Sequence, residues 1–482
     1  MEFRDATAMA QAVNQKEVSA KELILESIDK IEKFNPKLNA VVSKQYEQAL
    51  LEVESKQYVG KPFAGVPLLL KDLGQNEEGQ PSSAGSKLFI GQGARHTDRY
   101  VKKLKELGFI ILGRTNTPEF GFKNISDASI HGSVNLPLDV SRNAGGSSGG
   151  AAAAVASDMV PIAAASDGGG SIRIPASFNG LIGLKPSRGR IPVGPISYRG
   201  WQGASVNFAL TKSVRDTQRL LYYCQEYQLE APFPLVKLSK KAIFGVLTKP
   251  LKIAYSTSSP IGSPVSTEAK QAVSEMCQIL SDLGHEVVEL AAYPLDGREL
   301  MKSYYLMNSV ETAQMFDEIE SHLGRAMLQT DMELMTWSIY QSGQTVPAKL
   351  YSKTLSDWDR FGVIMAKFHQ TYDLLLTPTV ADVAPKHGQL SLSADLHHRL
   401  KDIQDCSIDE QQLLIWNMFE NSLALTPFTQ QANICGQPSL SLPTYRRGDG
   451  LPIGTQFTAA KGREDLLLQL ASQLEMHGHC IG

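Results

Sequence analysis

Thr97-Asp98-Arg99-Tyr100-Val101-Lys102-Lys103-Leu104-Lys105-Glu106-Leu107-Gly108-Phe109-Ile110-Ile111-Leu112 sets the fold class. Thr97 and Asp98 are helix-starting residues, and Tyr100, Val101, Leu104 and Leu107 follow at helical spacing on one face. Gly108 stops the helix, and four apolar residues run on without a polar break. A strand buried on both faces needs no polar alternation, so a helix feeding such a strand predicts a sheet covered by helices. The pattern repeats outward. Upstream, Ser19 and Glu22 form a capping box ahead of Leu23, Ile24, Ile28 and Ile31. Asn35-Pro36 is expected to end that helix, with strand at 38–42. Downstream, Lys252–Tyr255 reads as strand, 267–283 as helix with Val273, Met276, Cys277 and Leu280 inward, and 287–290 as strand. Strand-like text returns at 439–443, and an amphipathic helix covers 464–475. The reading is α/β: a large central mixed, mostly parallel sheet covered by helices on both faces.

Length and composition bound the rest. The 482 residues suit about three average domains or one large α/β domain; the expectation here is a single domain over 1–482. Lys and Arg number 47 against 50 Asp and Glu, a net charge of −3, which argues against a nucleic-acid-binding module. Cys224, Cys277, Cys406, Cys435 and Cys480 are scattered, without the spacing of a zinc site or a disulfide framework, and read as buried thiols in a reducing compartment. Met1-Glu2-Phe3-Arg4-Asp5 carries no secretory signal, and no apolar run reaches 18 residues, so no membrane association is expected and a cytoplasmic location is. Prolines crowd 225–265. Residues 291–430 look more helical and are expected to form an insertion or cap.

The chemistry concentrates in 143–185. Gly145-Gly146-Ser147-Ser148-Gly149-Gly150 and Asp167-Gly168-Gly169-Gly170-Ser171-Ile172-Arg173-Ile174-Pro175 flank an Ala-rich apolar segment. Flexible linkers would not enclose such a segment. A phosphate cradle would need a Walker or dinucleotide-binding form, and neither is present. The remaining reading is acyl transfer: Gly168, Gly169, Gly170 and Ser171 present successive N–H groups for an oxyanion, with the Ser171 hydroxyl as the attacking group beside them. A serine needs a base. None of the ten histidines sits in a recognisable triad context, and no GxSxG elbow occurs. Lys71 follows the apolar run Val66-Pro67-Leu68-Leu69-Leu70 and could act as a neutral amine if buried, since burial disfavours the ammonium form. A lysine at a strand end that reaches solvent is the competing reading.

These motifs, with Gly183-Leu184-Lys185-Pro186, Gly113-Arg114-Thr115-Asn116, Glu119-Phe120, Gly436-Gln437-Pro438 and Gly450-Leu451-Pro452-Ile453-Gly454, resemble the amidase signature family over about residues 15–475, with the signature core at about 60–220. The resemblance implies the amidase signature fold and a Ser–cis-Ser–Lys triad: Ser171 as nucleophile, Ser147 as bridging serine after a cis Gly146–Ser147 peptide, and Lys71 as base. It implies an oxyanion hole from Gly168, Gly169, Gly170 and Ser171, and hydrolysis of a carboxylic amide through an acyl-enzyme, with no metal or organic cofactor. Ser148 is expected to be a structural support. The family's second motif often carries Thr where Gly168 stands. That departure, with 185–190 and 199–203, resembles the branch containing 6-aminohexanoate cyclic-dimer hydrolases, from which no nylon-related substrate is inferred. The expected partner is a small-molecule amide; no nucleic acid or membrane is expected, and a homodimer is left open. Asn124 is read as facing the substrate or capping its loop, Trp201 as lining the acyl pocket or packing in the core, and Arg173 as the ion-pair partner of Asp167. The alternative function is the A subunit of a glutamyl-tRNA(Gln) amidotransferase, with the same triad and ammonia passed to a partner. A catalytically silent scaffold is disfavoured by the joint presence of Lys71, Ser147 and Ser171.

Overall fold

The computed structural model describes residues 3–55 and 57–480. Met1 and Glu2, where the reading of the N-terminus begins, lie outside the described residues. The strands are β1 (Val41–Lys44), β2 (Pro67–Lys71), β3 (Ile110–Thr115), β4 (Asn135–Leu136), β5 (Asp139–Asn143), β6 (Ile162–Asp167), β7 (Ile182–Lys185), β8 (Val206–Thr211), β9 (Lys252–Tyr255), β10 (Glu286–Glu289), β11 (Leu374–Pro378), β12 (Ser439–Arg446) and β13 (Pro452–Ala459). Eleven of them form one sheet in the order β1-β3-β2-β6-β8-β7-β12-β13-β11-β9-β10, and β4 pairs with β5 apart from it. Helices cover the sheet, as the helix-to-apolar-strand pattern predicts.

The share of parallel pairing is smaller than expected. β2 with β3, β2 with β6, β9 with β10 and β9 with β11 are parallel; the other six neighbouring pairs of the main sheet are antiparallel. Connector length accounts for one of these six, β12 with β13. A parallel return needs a crossover of roughly a dozen residues or more, whereas a short link makes a hairpin. Helix Arg99–Glu106 lies between β2 and β3, and helix Thr267–Asp282 between β9 and β10. β12 and β13 are separated only by 447–451, a Gly- and Asp-containing turn, and must pair antiparallel.

The first capped helix also differs at its end. It spans Ala20–Leu38, with the Ser19/Glu22 capping box formed, and carries Pro36 in its last turn. Asn39, in the left-handed region at φ 53°, closes the helix by donating its N–H to Asn35 O at 2.8 Å. A proline this late forfeits one backbone bond without stopping the helix.

Two apolar bodies hold the fold. The larger lies between the sheet and its helices and includes Leu68, Leu69, Ile110, Phe208 and the alanines of helix Gly149–Ala156. That helix approaches its neighbours too closely for a side chain: a Cβ on Gly150 would lie 2.4 Å from Asn116 N and 2.5 Å from Ala40 O. The second body is built by helices Gly297–Leu323, Leu334–Gln344, Ala348–Thr371 and Ile408–Leu425, with Tyr305 and Phe419 stacked at 4.2 Å. The 291–430 stretch is therefore mainly helical, yet it also contributes β11 to the main sheet. No described helix is long and apolar enough to cross a membrane.

Candidate active site

Parallel strands end on the same side of a sheet. β2 and β6 are parallel neighbours, so Lys71 and the pair Ser166-Asp167 emerge together at their C-terminal ends. Helix Gly149–Ala156 begins nearby and brings the preceding Ser147 and Ser148 with it. Lys71 does not reach solvent; its exposure is 0 %. Its Nζ lies 2.7 Å from Ser147 Oγ and 3.1 Å from Ser166 Oγ. Burial lowers its pKa from the ordinary 10.5 to about 7, with the Asp167 carboxylate pulling the other way. Its main chain is also fixed: the N–H donates to Gln75 Oε1 at 2.8 Å, and the carbonyl accepts from Arg114 Nη1 at 3.2 Å.

Ser147 follows a cis peptide bond from Gly146, and its side chain is buried at 2 % exposure. Ser148 donates from Oγ to Ser166 O at 3.2 Å, a tie between the helix start and β6 that suits a structural support. Ser171 is 7 % exposed and shares with Ser147 the wall of one cavity of about 490 Å³. The direct contact in the group is Lys71 with Ser147. The Ser171 hydroxyl carries no protein hydrogen bond among the described residues and faces the cavity beside Ser147.

The glycine loop is shaped by Asp167. Its carboxylate accepts from Gly170 N–H at 2.7 Å, Ile172 N–H at 3.2 Å, Arg173 Nε at 2.9 Å and Nη2 at 3.0 Å, and Asn433 Nδ2 at 2.9 Å. Burial alone would raise this carboxyl; Arg173, with help from Lys185 and the Asn433 hydrogen bond, outweighs it and holds the pKa at about 2. The Asp167–Arg173 ion pair expected from the sequence is present, with both side chains fully buried. It corrects one expectation. Gly170 cannot serve as an oxyanion donor in this arrangement, because its N–H already points at Asp167. The N–H groups of Gly168, Gly169 and Ser171 donate to no protein acceptor among the described residues.

Two further residues separate. Asn124 donates from Nδ2 to Thr426 Oγ1 at 2.6 Å and is not part of the cavity wall, so the substrate-facing reading is corrected in favour of a loop tie. Trp201 does line the cavity, with its indole stacked on Phe122 at 6.0 Å and 4°. Sequence reasoning missed Ser166 as a neighbour of Lys71, although strand alternation in β6 turns it away from Ala165. It also missed Phe122 and Glu311 in the cavity wall, which only tertiary packing brings there.

Residues 22–468 match the amidase family model, and the chain belongs to the amidase signature family of amide hydrolases. It is 40 % identical over 476 residues to a lipoamidase of Enterococcus faecalis, a match covering 98 % of this chain and 63 % of that longer protein. It is 34 % identical over 483 residues to the 6-aminohexanoate-cyclic-dimer hydrolase of Paenarthrobacter ureafaciens, covering 98 % and 94 % of the two chains. The solved structure of a 6-aminohexanoate cyclic dimer hydrolase complexed with substrate superposes with a TM-score of 0.89 at 33 % identity, over 98 % of this chain and 96 % of that one. The amidotransferase-subunit alternative is not favoured by these relatives, which are named as hydrolases.

Proposed function

We propose that this protein hydrolyses a small, non-peptide carboxylic amide through Lys71, Ser147 and Ser171, with residues 291–430 capping the site. The observation that carries the reading is the 2.7 Å contact between Ser147 Oγ and a solvent-excluded Lys71 amine whose pKa lies near 7. A neutral Lys71 accepts a proton from Ser147 while Ser147 accepts one from Ser171. Ser171 Oγ attacks the amide carbonyl, and the developing oxyanion takes hydrogen bonds from the free N–H groups of the glycine loop, those of Gly168, Gly169 and Ser171. The proton returns along the same path to the departing nitrogen, because an amine leaves poorly unless protonated. Water, deprotonated through the same relay, then releases the acid from the acyl-enzyme. The names of the relatives, a lipoamidase and a cyclic-dimer hydrolase, support an amide other than a peptide. Five cysteines without disulfides suit the expected cytoplasmic setting.

The test is Ser171→Ala assayed against a panel of amides, with ammonia and amine release both measured, alongside labelling by a fluorophosphonate. Turnover and labelling should vanish while the melting temperature stays within a degree or two, as expected for removing one hydroxyl that faces a cavity. Retained turnover in the folded variant removes Ser171 as nucleophile and the mechanism with it.

A further inference from the structure

Gly168 and Trp201 fit one another. A Cβ at residue 168 would lie 2.8 Å from both Cε3 and Cζ3 of the Trp201 ring, a separation no real side chain tolerates. The indole therefore rests directly on the first residue of the glycine loop. It is held there from other directions. Phe122 stacks on it, and Tyr304 meets it edge-on at 6.0 Å and 81°. The adjoining Gln202 donates from Nε2 to Glu311 Oε1 at 2.8 Å and lies 3.0 Å from Tyr351 OH, which also bonds Glu311. Trp201 and Gln202 occupy the left-handed region at φ 51° and 52°, a conformation that costs a side-chain-bearing residue on the order of 1 kcal/mol. Burial contacts and hydrogen bonds from the helical stretch keep the turn in that shape. A strained, clamped turn that delivers a large flat ring to the edge of a catalytic loop is a built surface.

The charges in the same cavity are carboxylates. Asp98, Glu311 and Glu318 line it, with His96 bonded to Asp98 at 3.0 Å. A chain ending in a carboxylate would enter against that field, whereas an uncharged hydrocarbon chain gains contact area on the indole. Resting on the function proposed above, we infer that Trp201, seated on Gly168, is the specificity surface of the site and selects amides whose reacting centre is flanked by an uncharged apolar chain.

The experiment measures labelling rates of Ser171 by alkyl fluorophosphonates, from ethyl to octyl, with an ω-carboxylated octyl analogue. In the wild-type chain the rate rises with chain length, and the carboxylated analogue reacts more slowly than octyl. Trp201→Ala flattens the series, lowering the octyl rate about tenfold or more and the ethyl rate less than about threefold, as expected when apolar contact is lost. Trp201→Phe keeps an aromatic face and retains most of the slope, which also covers the case in which Trp201→Ala does not fold. Equal losses for ethyl and octyl in the Trp201 variants overturn the inference, as does a preference for the carboxylated probe. If no probe labels Ser171 at any length, the proposed function fails instead, so the two failures are distinguishable.

Discussion

Two lysines end two strands of the same sheet in nearly the same electrostatic state. Lys71 closes β2 and Lys185 closes β7; both are 0 % exposed, and burial pushes both from 10.5 to about 7. Their neighbours differ. Lys71 Nζ faces two hydroxyls, Ser147 and Ser166. Lys185 Nζ donates at 2.8 Å to the carbonyl of Pro186 and sits among Arg173, Asp167, Arg188 and Glu464. A carbonyl only accepts hydrogen bonds, so it has no proton to give a neutral amine. A hydroxyl can do both, accepting from an ammonium and donating to an amine lone pair. Burial thus makes a base available, and the hydroxyl partner gives it something to do. In the proposed mechanism Lys71 moves protons and Lys185 holds the turn after β7.

The largest expected effect breaks this contrast or fixes it. Lys71→Ala should lower kcat/KM by roughly 10²–10⁴-fold, the usual range for removing a general base, with little loss of stability. Lys185→Met, similar in volume, should keep activity within about threefold, as expected for a residue whose contact is structural. Comparable losses in the two variants would show that burial near the glycine loop, and not the serine contact, governs activity.

Asp167 links the two lysines, since its carboxylate raises the pKa of each against the effect of burial. Asp167→Asn leaves Arg173 charged and buried without its counter-charge, and should destabilise the fold by about 3–5 kcal/mol in denaturant titrations. The sign with pH follows from the depressed carboxyl. Its contribution is present in full above the unfolded value of 3.8 and is lost as pH falls through about 2. The variant should therefore differ most from the wild type at neutral pH and converge with it in acid. A constant difference down to the lowest accessible pH would detach the effect from the ion pair.

The pH dependence of rate and of stability separates the lysines further. In the proposed mechanism the active form of Lys71 is neutral, so kcat/KM should rise with pH to a plateau, with a midpoint near 7 that Lys185→Met leaves in place. For stability, both groups bind their proton more weakly in the folded chain than in the unfolded one. The unfolded state holds more protons between about 7 and 10.5, and stability gains with pH across that window, by up to about 1.4 kcal/mol per pH unit for each group. Lys185→Met should remove one group's share of that slope, read from urea midpoints, while the kinetic midpoint stays. A kinetic midpoint that moves with Lys185 would assign the titration to the wrong lysine.

The same contrast shows what the amino-acid text carries. The apolar runs of β3 and β9 and the Ser19/Glu22 box were legible because each depends on its own neighbours. The proximity of Lys71, Ser147 and the glycine loop was legible through motif resemblance. The Asp167–Arg173 pair was expected too, and both residues lie in the same signature motif. Its consequence for Gly170 was not, because a row of glycines does not say which N–H turns toward the carboxylate. The choice between the two readings of Asn124 was not legible for a related reason: its partner Thr426 lies 302 residues away. The antiparallel pairing of β12 with β13 follows from the short 447–451 connector, which apolar periodicity alone does not weigh; the other antiparallel pairs join strands distant in the chain or across a longer link. The Phe122–Trp201–Tyr304 cluster joins three distant segments and exists only in the folded packing.

Ser166 gives the smallest effect and the finest division between the lysines, because Lys185 has no counterpart to it. Its hydroxyl lies 3.1 Å from Lys71 Nζ and steadies the amine against Ser147. As a hydrogen-bond acceptor it favours the ammonium form, and no step of the proposed relay needs its proton. Ser166→Ala should therefore cost a factor of about 3–10 in kcat/KM at the plateau, the kinetic equivalent of one hydrogen bond of about 0.5–1.5 kcal/mol. It should also shift the rising limb of the pH–rate profile. Removing an acceptor from the charged form lowers the lysine pKa, so the midpoint moves below the wild-type position near 7, and the variant's relative deficit shrinks at acid pH. A structural role for Ser166 would lower the plateau and leave the midpoint where it was. A shift toward higher pH would mean that the hydroxyl donates to a neutral amine in the resting state, placing Ser166 in direct competition with Ser147 for the lone pair.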